Sequence, residues 1–160
     1  MAMTDDDFPT QVRVKAETHF RKGRFFCSEA VLRAILDASD MQDRREIVAL
    51  ASGFATGMGG AGCSCGAVVG GMMALGLFFG RSTPGDPKVR DCMELAHELH
   101  DQFREKHNSI CCRVLNKGLV HDSPEQRELC ALRTGDAAEL TAVMINREIN
   151  KRIYHDSQRN

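Results

Sequence analysis

Tryptophan is absent from this 160-residue chain, tyrosine occurs once, at Tyr154, and proline only four times. With so few ring systems to stack on bases, that mode of holding a ligand is disfavoured. Neither sign of charge is in excess: 21 Lys and Arg stand against 22 Asp and Glu, a formal net charge of -1. A nucleic-acid binder carries a basic excess or a basic stripe, so that class is excluded. No long single-sign run marks a solvating tail. Also lacking are an internal repeat, the period-2 apolar alternation of strands, and the basic start with an apolar stretch of a secretory signal. Residues 1–7 are acidic instead. The chain is therefore expected in the cytoplasm, where thiols stay reduced. With 42% hydrophobic and 27% charged residues it has material for one domain with a real core, and collagen-like and disordered classes are excluded.

One stretch argues for a membrane. No charged residue occurs from Ile47 to Gly80. Its apolar part is split by a loop over 57–65, and the helical piece 66–80 would be about 22 Å long. A bilayer core of about 30 Å needs roughly 20 residues. The piece reads as a buried central helix, not a span. It is apolar on all sides, as a helix enclosed by others should be. Gly66, Gly70 and Ala74 recur every four residues, which lets a neighbouring backbone approach along that face.

The rest of the chain reads as helices. Val12, Ala16 and Phe20 share one face of a helix over 10–24. A second follows Cys27, with Ser28 as its N-cap and Val31, Leu32, Ile35 and Leu36 inside. Asp43 is placed to cap a third, holding Ile47, Val48, Leu50 and Ala51. Ten of the 14 glycines then fall between Gly53 and Gly80. Residues 82–87 form a Pro/Gly turn, and 88–107 a long helix with Leu95, Ala96, Leu99 and Phe103 on one face. Asn108 or Ser109 is placed to cap a short helix with Cys111 and Cys112 that Gly118 ends. Ser123-Pro124-Glu125 starts another, running to about Arg133, and after Gly135 a last helix covers about 136–154. The expected fold is all-α: a single helical domain over 1–160, a bundle with a Gly-rich loop leading into the buried central helix.

The seven cysteines carry the chemistry. An odd number cannot all pair, and in a reducing compartment they suggest metal or redox roles before a disulfide framework. Cys27, Cys65 and Cys112 fall at three helix starts, where free N–H groups favour an anion and are expected to lower a thiol's pKa. Cys130 lies inside a helix. Cys92, spaced with Leu95, Ala96 and Leu99, reads as packing. Cys63-x-Cys65 is shorter than a zinc knuckle, and Cys111 and Cys112 point apart on a helix. No C-x-x-C redox motif and no haem attachment motif occurs.

Cys27-Ser28-Glu29-Ala30-Val31, Gly57-Met58-Gly59-Gly60, Cys65-Gly66-Ala67-Val68-Val69-Gly70, Cys112-Arg113 and Cys130 together resemble the redox-active protein family named for its C…GCAxxG…C…C pattern. The resemblance covers roughly 20–132. It implies a small bacterial protein with a redox or metal role, and its four hallmark cysteines carry over to Cys27, Cys65, Cys112 and Cys130. It implies no defined reaction or substrate.

Other patterns are weaker. Gly57-x-Gly59-x-x-Gly62 matches a dinucleotide fingerprint in letters, but no strand precedes it. It reads as a flexible loop that lets backbone approach the cysteines, and the amides of Gly59 and Gly60 are placed to form an anion nest toward a thiolate or cluster sulfur. Glu94-x-x-His97 is half of a di-iron motif without its second copy, and His97 and His100 read as solvated. His107 is kept as a candidate ligand or proton partner beside a helix-end role. The stripe Met72, Met73, Leu75, Leu77, Phe78 and Phe79 reads as core.

Three functions compete. In the first, Cys27, Cys65, Cys112 and Cys130 converge within about 10 Å to bind an iron–sulfur cluster or another metal such as zinc, for electron transfer or sensing. In the second, the protein is a metal-free thiol–disulfide oxidoreductase, with Cys65 attacking and Cys27 among the resolving thiols. In the third it is a non-catalytic helical protein, with structural zinc or buried thiols. A homo-oligomer fits each of them, and the redox partner leaves no signature in the sequence.

Overall fold

The computed structural model describes residues 7–39 and 41–159. The acidic start therefore lies outside the described residues, apart from Asp7. The order of elements is α1 (Phe8–Arg21), α2 (Cys27–Ala38), α3 (Arg45–Ala49), a 3-10 turn (Ser52–Phe54), α4 (Ala55–Met58), α5 (Gly66–Phe79), α6 (Val89–His107), α7 (Cys112–Leu115) and α8 (Pro124–Ser157). Among the described residues the only β pairing is an isolated bridge between Ser64 and Cys111. The fold class is all-α, and none of the described helices is long and apolar enough to cross a membrane.

Apolar spacing makes these helices and decides how they pack. On α1, Phe8, Val12 and Ala16 recur every four residues and are buried against α8 and α2. On α6 the expected face is the buried one, with Leu95, Leu99 and Phe103 inside. α5 lies at the centre against α2, α6 and α8, and its small residues set the distances. A Cβ on Gly70 would collide with the carbonyl oxygen of Ser28 on α2, and one on Gly71 with Thr141 Oγ1 on α8 and, at 2.8 Å, with Leu99 Cδ2 on α6. One flank of α5 departs from the expected enclosure. Leu75 and Phe79 are buried, but Val69, Met72, Met73, Leu77 and Phe78 are only partly covered and Gly76 is exposed.

Helix boundaries differ from the sequence reading, and four of the differences have a plain local reason. α2 begins before Ser28: Phe26 takes the N-cap position, and its N–H donates to Glu29 Oε2 at 2.9 Å. Ser28 is buried inside the first turn and donates to the Ala51 carbonyl at 2.8 Å. α3 begins after Arg44 rather than Asp43, and it is so short that only Val48 is buried. Asn108, at φ 59, terminates α6 instead of starting α7. The α7 chain entry uses Ser109, whose hydroxyl accepts from the Cys111 N–H at 3.0 Å.

The fourth difference is the largest. The two C-terminal helices expected on either side of Gly135 are one helix of 34 residues, about 51 Å at 1.5 Å per residue. Gly135 sits in helical conformation because α1 crosses there, and a Cβ would run into the Glu17 side chain. A glycine that reads as a stop is a contact point. The crossing is bound by charge: Asp136, 5% exposed, accepts from Arg13 and Lys106, each at 2.6 Å.

Candidate thiol site

Four cysteines from four elements line one cavity of about 510 Å³: Cys27, Cys65, Cys112 and Cys130. Three stand at helix starts, as expected. Cys27 is the first residue of α2, Cys65 the N-cap of α5 and Cys112 the first residue of α7. Cys130 lies nearly two turns into α8.

The Gly-rich loop brings Cys65 to Cys112. Cys65 N–H donates to the Ile110 carbonyl at 2.7 Å, Cys112 N–H to the Cys63 carbonyl at 2.6 Å, and Arg113 N–H to the Gly62 carbonyl at 3.0 Å. The loop also folds on itself, with Cys63 N–H donating to the Gly57 carbonyl at 3.0 Å. It is thus pinned by four backbone bonds, where the sequence suggested a flexible segment. Gly57 has φ 70, and a Cβ there would stand 2.6 Å from Cys112 Cβ. Thr56, at φ 52, is a β-branched residue in left-handed conformation. Such strain concentrates where a fold over-determines the backbone, and here that place is the cavity wall.

The second half of the site is held by a side chain that the sequence reading passed over. Asn116 Nδ2 donates to Cys112 Sγ at 3.5 Å and to the Cys112 carbonyl at 2.8 Å. Its Oδ1 accepts from Cys130 Sγ at 3.6 Å and from Arg133 Nη1 at 3.1 Å. Arg133 Nη2 is fixed in turn on the Leu115 carbonyl at 2.8 Å. One amide thus joins two of the thiols, and a guanidinium orients the amide. Helical spacing carries the signal: Asn116 follows Cys112 by four residues and Arg133 follows Cys130 by three, so each shares a face with its cysteine.

Burial dominates the thiols' acidity. Desolvation pushes Cys65, 7% exposed, up to about 12, and the neighbouring Cys27 sulfur adds to it. The amides of Ala67 and Val68 face the Cys65 sulfur and pull the other way, without closing a capping hydrogen bond. Cys27 is raised by burial against the amides of Thr56 and Ser28. Cys112 is raised by burial and by Cys130; Cys130 is raised by burial against Arg133 and Asn116. The expectation that helix starts would lower these pKa values is therefore overturned. Burial thus favours the neutral thiol at all four.

The remaining candidates disperse. Gly60 is at the cavity wall but Gly59 is not, and a Cβ on Gly59 would meet only the Gly53 carbonyl at 3.5 Å. Cys63 is exposed, and Cys92 packs on the core. Cys111 turns away from the cavity, with Sγ 3.4 Å from the Gly62 carbonyl. His97 is exposed beside Asp101, and His100 is partly covered and bonded to it. His107 takes the helix-end role: its Nε2 lies 3.1 Å from Asp136 Oδ2, out of line for a hydrogen bond. No group of three His, Cys, Asp or Glu among the described residues is placed to hold a single metal ion.

Neither curated proteins nor solved structures give a match to this chain. A family model matches residues 25–144, a span that contains the whole cavity-lining cysteine set. The chain belongs to the family described as "Putative redox-active protein (C_GCAxxG_C_C)".

Proposed function

We propose that this redox protein works through Cys27, Cys65, Cys112 and Cys130 as ligands of an iron–sulfur cluster, in electron transfer or sensing. The observation that carries the reading is the meeting of four thiols from four separate elements at one cavity of about 510 Å³. Four thiolates are the usual complement for a cluster. A lone zinc ion, with Zn–S near 2.3 Å, would need the sulfurs within roughly 4 Å of one another. The described residues hold no group of three His, Cys, Asp or Glu so placed.

Charge supports the same reading. Four partly buried arginines occur among the described residues, and three of them, Arg13, Arg33 and Arg147, sit on carboxylates. Arg133 finds amide and carbonyl oxygens and the Cys130 sulfur, and no carboxylate among the described residues. A half-buried cation without an anion suits a site that holds negative charge once its thiols are deprotonated. The amides facing Cys27 and Cys65 act in the same direction. Bound there, a cluster would supply a reversible one-electron couple. Loading requires the thiols to give up their protons, so affinity rises with pH. Metal-free exchange is less well served, because its attacking sulfur must be a reachable thiolate and Cys65 is buried and shifted upward.

The test is iron and sulfide content, with a visible spectrum, on protein purified without oxygen. Iron and acid-labile sulfide with absorption near 400 nm (on the order expected of thiolate-bound clusters) are the expected result, lost in Cys65→Ser. Colourless, iron-free protein whose thiols pair reversibly would overturn it. Cys112 and Cys130, both on the Asn116 amide, are then the pair to close.

A further inference from the structure

The mouth of the cavity is built from residues that the thiol chemistry does not use, among them Phe20, Phe26, Arg113, Leu119 and Arg127. Phe26 is 60% exposed at the entrance to α2, an aromatic with no core to justify it. Arg113 is held in place. Its Nη2 donates to the Ala61 carbonyl at 2.9 Å, and its stem lies along the loop at Gly62, where a Cβ would come within 3.3 Å of Arg113 Cβ. Among the described residues no carboxylate forms an ion pair with it. Arg127 reaches only Asp122, at 3.2 Å, with both side chains in solvent. The charged and titratable side chains lining the cavity, thiols aside, are Arg113, Arg127, Arg133 and His121 against the single carboxylate of Asp122.

A guanidinium presents a planar fork that matches carboxylate and related oxyanions. Small-molecule sites are concave, mostly apolar and about 300–1,000 Å³, with a few convergent polar groups. The geometry points to a binding site at this mouth for a small organic anion, its charged group met by Arg113 and Arg127 and its flat apolar body laid on Phe26 and Leu119. It deepens the redox reading by naming the class of molecule that reaches the thiols. It rests on that reading for the purpose of the binding, and the binding itself stands apart.

The test uses reduced, metal-free, full-length protein and two probes of one shape, para-nitrobenzoate and the neutral para-nitrobenzamide, followed by amide NMR shifts. The benzoate is expected to saturate, moving the amides of Phe26, Arg113 and Leu119, with the benzamide at least about tenfold weaker. Arg113→Gln with Arg127→Gln should bring the benzoate down to the benzamide and leave the benzamide unchanged. Equal affinity for the two probes, shifts that map elsewhere, or no saturation by either would overturn the site. The iron measurement separates this idea from the cluster: benzoate binding to protein that never takes up iron leaves the anion site standing and removes the cluster, and iron without benzoate binding does the reverse.

Discussion

At the scale of single residues, burial and a positive helix end compete for the same sulfur, and burial wins. A helix N-terminus offers a few tenths of a kcal/mol to about 2 kcal/mol to an anion, while a fully buried thiolate loses far more hydration than that. Cys65 shows the balance, shifted up to about 12 although α5 begins on it. Labelling kinetics check this directly. In reduced, metal-free protein at pH 7.5, iodoacetamide should modify exposed Cys63 at least about tenfold faster than Cys65, as read from peptide masses, since the thiolate is the reacting form. Comparable rates would mean that the cavity is open or the thiol ionised. Helix-start placement was legible in the sequence two residues away from where Cys63 stands. The sign of the pKa shift was not, because burial depends on what packs over the sulfur.

At the scale of elements, glycine has opposite meanings that only neighbours distinguish. Gly70 and Gly76 both lie in α5. A Cβ on Gly70 would overlap the Ser28 carbonyl, a backbone atom that cannot turn aside, whereas Gly76 has nothing within 4 Å. Gly70→Ala should cost about 3 kcal/mol in denaturant unfolding, at the upper end of overpacking. Gly76→Ala should stabilise by about 0.5–1 kcal/mol, the helix-propensity gain of alanine. The four-residue spacing of Gly66, Gly70 and Ala74 announced a close approach. The spacing could not say that α2 makes it, nor that Gly135 serves the α1 crossing rather than ending a helix. At that crossing Asp136 is nearly buried beside Arg13, Lys106 and His107. Burial opposes its charge, but the hydrogen bonds from Lys106 and Arg13 hold its carboxyl below the ordinary range. Asp136→Asn would leave Lys106 without its carboxylate and Arg13 with Glu17 and Glu139 alone, with an expected loss of about 1–2 kcal/mol by the same measurement.

At the scale of the whole molecule, the thiols couple stability to pH. Their folded pKa values lie above the ordinary cysteine value of 9.0. As pH rises through that value the unfolded chain releases protons that the folded chain keeps, so the unfolded state gains. The contribution is fully present below about pH 9 and is lost as pH climbs toward the folded values, at about 1.4 kcal/mol per pH unit for each thiol in its window. Metal-free protein should therefore show a falling midpoint in urea from pH 9 upward. Replacing Cys65 by alanine should flatten part of the fall, and an unchanged slope would remove Cys65 as a cause of it.

By itself the sequence determined the helical class and the place of most helices, and it carries the cysteine pattern of the family. Those depend on local periodicity, on glycine and proline punctuation, and on a cysteine pattern that can be read along one dimension. Only the tertiary structure decided that α8 runs unbroken past Gly135 and that Cys130 reaches the same cavity as Cys27. It alone placed Asn116 and Arg133 around those sulfurs and left Gly59 outside. The physical reason is common to all four. Each depends on which surfaces meet across the bundle, and the free energy of a buried thiol, a crossing glycine or a half-buried arginine is set by atoms distant in the chain.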